Sequence, residues 1–290
     1  MFRYSVADQV LDSSLRLPLL KSLQCNTVTG DDPSQLTMLF VDELSTASAA
    51  QPKFVIGFLH NRNRKITMYD DARGCLLDFA DLGKVFFSKQ ADRQVLLALE
   101  NPDVTDQTVM ELLLGPGLIP LLTDCDIWTF HASAVAFDGK VDVFLADSGA
   151  GKSTLARELQ QRNVDMERVS DDVLPVRNHS GILNALPRYP QLKLQNPCFW
   201  ALYKPERLII RSINILRTAK NYQVYHIEDT ETMNQLIHHT VASRLFDRRR
   251  LERHFDFCYA VSRMENICYR IIDYPKIDAS IDQVSELLYQ

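Results

Sequence analysis

The chain lacks a surplus of positive charge, a cysteine framework and a long apolar run, and each absence removes a class of protein. Its 290 residues carry 32 Lys and Arg against 37 Asp and Glu, a formal net charge of -5, so there is no electrostatic case for a nucleic-acid partner. The six cysteines, at positions 25, 75, 125, 198, 258 and 268, form no C-x-x-C pair and no metal-ligand spacing. That distribution fits reduced thiols in a cytosolic protein better than a disulfide framework. No apolar run approaches membrane-spanning length, and Met1 to Gln9 lacks an apolar signal core. A cytoplasmic protein with no membrane partner is therefore expected. A content of 46% hydrophobic and 24% charged residues excludes extensive disorder.

What is present divides the chain in two. Residues 1–105 read as a small β-rich N-terminal domain, with strands at Leu36–Val41, Phe54–Leu59 and Lys65–Tyr69. A hairpin connection is expected at Asn61–Arg64, turns at Gly30–Pro33 and Asp70–Gly74, and a surface loop over Ser45–Pro52. Residues 106–290 read as an α/β domain. Helices are expected over Val109–Leu114 and Leu118–Leu122, interrupted by Gly115-Pro-Gly117. An extended run, Ile127–Phe137, turns at Asp138-Gly-Lys140 into a second strand, Val141–Leu145. Strands follow at Arg168–Val176, Ile182–Leu186, Ile209–Leu216, Tyr222–Ile227 and Ile267–Ile272. Amphipathic helices are expected over Glu231–Phe246, Arg250–Arg263 and Ile277–Leu288.

The chemistry concentrates where Val141–Leu145 runs into Ala146-Asp-Ser-Gly-Ala-Gly-Lys-Ser153 and then a helix-forming stretch, Thr154–Arg162. Strand, glycine loop, Lys-Ser and helix is the context a phosphate loop requires. Gly149 and Gly151 let successive N–H groups converge on one concavity, to which the helix N-terminus adds partial positive charge. Lys152 supplies a point charge for the outer phosphates, and the Ser153 hydroxyl is a ligand for Mg²⁺. Asp147 to Thr154, comprising Asp147, Ser148, Gly149, Ala150, Gly151, Lys152, Ser153 and Thr154, are the candidate nucleotide-binding residues. Ala146 stands where the phosphate-loop pattern has its first glycine; alanine is tolerated there if φ stays negative.

Further candidates flank this loop. His131 lies on the preceding strand, and Asp171 and Asp172 lie on the strand after the helix. A phosphotransferase needs one carboxylate to orient or deprotonate the attacking hydroxyl and another for the metal. Both can serve one site only where the strand ends or twists, because successive side chains point to opposite faces. Lys193, in Arg188-Tyr-Pro-Gln-Leu-Lys193, reads either as a phosphate contact or as a solvated lysine. His238 and His239, adjacent on a helix, should diverge by about 100° and so not share a metal. Arg244, Arg248, Arg249, Arg250 and Arg253 read either as a solvated helix face or as a receptor for an acidic peptide.

Phe130-His-Ala-Ser-Ala-Val135, Ser148–Thr154 and Ser170-Asp-Asp172 together resemble the HPr serine kinase C-terminal domain and its paralogues, a group related to phosphoenolpyruvate carboxykinases. Ile267–Pro275 before a last helix is similar to the paralogues as well. The resemblance implies a phosphate-loop kinase domain behind a small β-rich domain, using ATP and Mg²⁺. Lys152 and the loop amides would bind the triphosphate, and Ser153 and Asp172 would hold the metal. Asp171 would be the base acting on a seryl hydroxyl, with His131 an orienting or charge-balancing group. Arg188, Lys193, Arg248 and Arg250 are the candidate substrate residues. Thr154 stands where the regulatory HPr kinases carry Glu, and their Glu-Val-Arg-Gly-Leu-Gly-type signature is absent, so the resemblance does not extend to phosphorylase activity or to HPr as substrate. The expected acceptor is a serine of a peptide or protein. The alternatives are a small-molecule hydroxyl such as free serine, or a nucleotide-binding module that transfers nothing. A homo-oligomer is left open.

Overall fold

Short strands of alternating burial build the first of two compact units, Met1–Cys125 with Ala242–Phe246. The computed structural model describes residues 1–25, 35–45, 51–59, 62–89, 93–101, 103–186, 189–191, 208–275 and 278–289. β1 (Phe2–Val6) and β2 (Gln9–Ser13) pair across a turn in which Ala7 and Asp8 both take positive φ. β3 (Leu36–Phe40) runs parallel to β2 and to β8 (Gln94–Leu99). β4 (Pro52–Leu59), β5 (Arg62–Asp70), β6 (Gly74–Asp78) and β7 (Gly83–Ser88) complete an antiparallel meander, giving the sheet order β1-β2-β3-β8-β7-β6-β5-β4. The expected strands are present. Pro52 opens β4 rather than belonging to a loop, and Arg62 pairs with Leu59, so the strands take up most of the connection expected at Asn61–Arg64. The turn expected at Gly30–Pro33 lies outside the described residues.

Two helical stretches close this unit. Thr105 caps α1 (Asp106–Leu112), its hydroxyl accepting from the Thr108 N–H at 3.3 Å. The expected break at Gly115-Pro-Gly117 does not occur. A π-helical turn, Leu113–Leu118, carries the chain through it into α2 (Ile119–Asp124). The wider turn absorbs the N–H that Pro116 lacks. Gly117 is held by packing, because a Cβ there would meet the Val95 side chain at 3.1 Å. Among the described residues no helix is long and apolar enough to cross a membrane.

The second unit, Asp126–Val241 with Asp247–Gln290, carries the glycine loop. β9 (Trp128–Phe137) and β10 (Lys140–Leu145) form a hairpin whose turn residues, Asp138 and Gly139, both have positive φ (49° and 71°), the tight turn expected of Asp-Gly. β10 pairs antiparallel with β9 and parallel with β14 (Leu208–Thr218). With β12 (Val173–His179) and β13 (Ile182–Ala185), the path β10-β9-β12-β13-β14 closes on β10 again. β16 (Cys268–Tyr274) and β15 (Gln223–His226) extend the sheet beyond β14.

The expected strand Arg168–Val176 is two strands. β11 (Glu167–Ser170) pairs with Ala134–Ala136 of β9, and β12 pairs with Trp128–His131 of the same strand. Asp171 and Asp172 occupy the bend between them, which releases the two carboxylates from strand alternation.

After the loop comes α3 (Lys152–Arg162), which buries Lys152, Leu155, Ala156 and Leu159, one stripe at helical spacing. With Phe144, Ile272, Ile281, Val284 and Leu288 these apolar residues form the core between the sheet and α6 (Asp278–Tyr289). Each fully buried leucine contributes about 1.5–3 kcal/mol. A polar seam runs beside this core. Asp142 of β10, 1% exposed, accepts from the Arg211 guanidinium at 2.7 Å and from the Ser212 hydroxyl at 2.6 Å. Asn214 in turn donates to Ser212 at 2.7 Å and to the Val143 carbonyl at 3.2 Å.

The helix expected over Glu231–Phe246 stops early. α4 (Asp229–His238) ends because Thr240 bridges to Phe130, and the Val241 N–H donates to the Thr129 carbonyl at 2.8 Å. α5 (Arg248–Ser262) then starts behind the Asp247 cap.

Candidate functional site

The glycine loop follows from its residues. Gly149 and Gly151 sit at φ 82° and 102°, where a side chain is strained, so both glycines are required by the backbone. Ala146 does not take positive φ and is packed into the core at 2% exposure, which accommodates alanine at that position. Gly151 caps α3 without a side-chain bond, leaving the helix N-terminus to face the loop with no carboxylate of its own first turn.

Lys152 is buried, 6% exposed, and its ammonium donates to the Ala146 carbonyl at 2.5 Å and to the Asp147 carbonyl at 3.4 Å. The charge is thus held across its own loop by carbonyls, and engaging a phosphate means exchanging them for phosphate oxygens.

Three side chains converge on Asp171. The Ser133 hydroxyl is 3.4 Å from its carboxylate and from its carbonyl, and the Ser153 hydroxyl donates to that carbonyl at 3.4 Å. Arg168 stands 3.9 Å from the other carboxylate oxygen. Burial pushes the Asp171 carboxyl above the usual carboxylate range, opposed by the Arg168 charge and the two hydroxyls and reinforced by the charge of Asp172. Asp172 lies 3.1 Å from His131 Nδ1. The glycine-loop lysine and serine, the histidine and both carboxylates singled out in the sequence therefore belong to one unit, with Asp171 tied to Ser153 directly.

Gln191, missed in the sequence, organises the bend. Its carbonyl oxygen accepts from the N–H groups of Asp171 (3.2 Å), Asp172 (3.0 Å) and Val173 (3.4 Å). Its amide donates to the carbonyls of Val173 (2.8 Å) and Tyr189 (3.1 Å), and the residue is only 2% exposed. Tyr189 beside it is buried, and that burial, with the charge of Asp172, raises its phenol. The signal is the Tyr-Pro-Gln stretch itself, which lies between two basic residues, Arg188 and Lys193. Those two lie outside the described residues.

His238 and His239 also join the site. The His131 N–H donates to the His239 carbonyl at 2.7 Å, which stitches the end of α4 to β9. His238 Nε2 is then 3.0 Å from Asp147 Oδ1, and this hydrogen bond holds the Asp147 carboxyl below its ordinary value. Burial, with the charges of His238 and Lys152, pushes the His239 imidazole down to about 4. The expected divergence of the two rings fails because α4 ends at His238 and His239 is no longer helical, with φ −90° and ψ 6°. Their ring centroids are 4.7 Å apart.

The arginine segment is not one solvated face. Arg250 is 2% exposed and bonded to Asp247 at 3.0 Å, so it is not available to a peptide, which corrects its reading as a substrate residue. Arg248 is exposed and paired with Glu252 at 2.8 Å, and Arg253 pairs with Asp126 at 2.7 Å.

No family model matches the chain, and no curated protein matches it. Among solved structures it is similar to the HPr(Ser) kinase/phosphatase from Coxiella burnetii, at 14% identity over 56% of this chain and 93% of that one, with a TM-score of 0.31. A likeness at that level carries no functional argument. The chain itself is a mixed α/β protein built on two large sheets.

Proposed function

We propose that this chain is an ATP- and Mg²⁺-dependent kinase that transfers a phosphoryl group to a hydroxyl, with a serine of a peptide or protein as the acceptor. The observation that carries the reading is Asp171. It is a half-buried carboxyl of raised proton affinity, fixed in a bend and tied to the serine that follows the loop lysine.

In this reading the N–H groups at the start of α3 and the Lys152 ammonium bind the outer phosphates. Asp171 accepts the proton of the attacking hydroxyl, and its raised proton affinity suits that task. Ser133, through its bond to Asp171, is a positioning residue. The oxygen donors of Ser153 and Asp172 are the hard ligands Mg²⁺ prefers, and the ion when bound neutralises charge on the transferred phosphoryl group. His131, bonded to Asp172, orients that carboxylate.

The test offers labelled ATP to a panel of seryl peptides and free hydroxy metabolites, including serine. Peptide labelling that is lost in Lys152→Ala supports the reading. Efficient labelling of a free metabolite alone would make the protein a small-molecule kinase. ATP binding with no acceptor labelled would make it a nucleotide-binding module.

A further inference from the structure

We infer that Asp147, His238 and His239 form a binding site for a divalent transition metal of the Zn²⁺ class, separate from the Mg²⁺ ligands proposed above. One carboxylate oxygen and two imidazole nitrogens, all within 4.8 Å of one another, converge where the end of α4 meets the glycine loop. Asp147 Oδ1 and His238 Nε2 are 3.0 Å apart. Metal–ligand bonds of about 2.0–2.1 Å in a tetrahedron place donor atoms about 3.3 Å apart, so the bonded pair would open slightly and the remaining separations, within 4.8 Å, would close onto the ion. Asp147 and His238, both exposed, can rotate to make that adjustment, exchanging their mutual hydrogen bond for the ion.

The second observation is His239 itself. It is 5% exposed, its carbonyl is fixed by the His131 N–H, and among the described residues neither ring nitrogen has a protein hydrogen-bond partner. A largely buried imidazole whose ring nitrogens bond no described protein group, set beside two further donors, has its lone pair available to a metal. Two nitrogens and one oxygen select Zn²⁺, Co²⁺ or Ni²⁺ over Mg²⁺, which prefers oxygen donors throughout. Three protein ligands leave one position open for water or an anion. The opposing effect is the nearby Lys152 ammonium, which is held by the Ala146 and Asp147 carbonyls and partly offset by the Asp147 carboxylate. The ion would join α4 to the glycine loop. This site does not depend on the kinase reading, since it rests on metal binding alone.

The experiment titrates untagged, chelator-treated full-length protein with Co²⁺, following its visible d–d absorption, and then displaces it with Zn²⁺. One equivalent should give the intense band of a four- or five-coordinate ion, unmoved by excess Mg²⁺. Asp147→Asn and His238→Gln, both at exposed positions, should each weaken Co²⁺ binding by about tenfold or more. Asp172→Asn should leave it unchanged. His239→Gln should abolish the band, and should this variant not fold, the two exposed variants decide the matter. Absence of a stoichiometric band overturns the inference, as does an affinity indifferent to Asp147→Asn and His238→Gln. Loss of the site in Asp172→Asn, or displacement by Mg²⁺, would place the ion elsewhere and overturn it too.

Discussion

His131 Nδ1 lies 3.1 Å from Asp172 Oδ1, an ion pair whenever the imidazole is protonated. The contact sets Asp172 apart from its neighbour: Asp171 is bonded to the serines, Asp172 to the histidine. Two adjacent carboxylates with different partners are suited to different tasks. Asp172→Asn should therefore raise the Mg²⁺ concentration needed for half-maximal transfer several-fold, because one hard oxygen ligand is lost. Turnover measured against metal concentration checks this. A metal dependence identical to that of Asp171→Asn would remove the division of roles.

Gln191 should matter as much to the bend as the aspartates do. Gln191→Leu leaves up to three N–H groups without their acceptor in a buried setting, at about 1–3 kcal/mol for a group left unsatisfied. A loss of about 2–4 kcal/mol in urea denaturation is expected, with a fall in transfer larger than any change in ATP affinity. Wild-type stability in this variant would show that the bend holds itself.

Arg211 and Asp142 form a pair across β10 and β14 in which the carboxylate is the buried member. Arg211→Ala strands that carboxylate with only the Ser212 hydroxyl, and a loss of about 3 kcal/mol is expected. The reverse, a loss below about 0.5 kcal/mol, would mean that the seam tolerates an unpaired charge.

Acid should destabilise the second unit through His254. Its ring contacts the Thr240 hydroxyl at 2.8 Å, Cys258 Sγ at 3.3 Å and the Trp128 ring, and burial lowers its pKa from 6.5 to about 4. As pH falls through that window the unfolded chain gains a proton that the folded chain refuses. Stability is therefore complete above about 6.5 and declines toward 4, by roughly 3 kcal/mol. The raised carboxyl of Asp171 acts in the opposite direction and softens the decline. His254→Asn should reduce the pH dependence of the urea midpoint between 6.5 and 4 by about half, His239 supplying the remainder. An unchanged slope would remove His254 as its source.

Local pattern reached the strands and helices, and it reached the loop, because these depend on residues close in sequence. Gly149, Gly151 and Lys152 are legible since the turn, the positive φ and the helix start are set within eight residues. What stayed hidden depends on distant partners. The run from Arg168 to Val176 reads as one strand because nothing in it announces that Gln191 will gather three of its N–H groups. The amphipathic spacing after Glu231 continues to Phe246, yet the helix stops where Thr240 and Val241 pair with β9. That stop brings His238 and His239 to Asp147, so an angle argument valid inside a helix failed at its end. Likewise, Arg250 looks solvated in a run of arginines but is buried under the Asp247 cap.

The most direct test of the account separates binding from chemistry at Asp171. Single-turnover transfer from labelled ATP should fall by roughly 10²-fold or more in Asp171→Asn, while ATP affinity by calorimetry stays within about tenfold of wild type. Equal transfer rates in the two proteins, with ATP bound alike, would contradict Asp171 as the base and with it the proposed reaction.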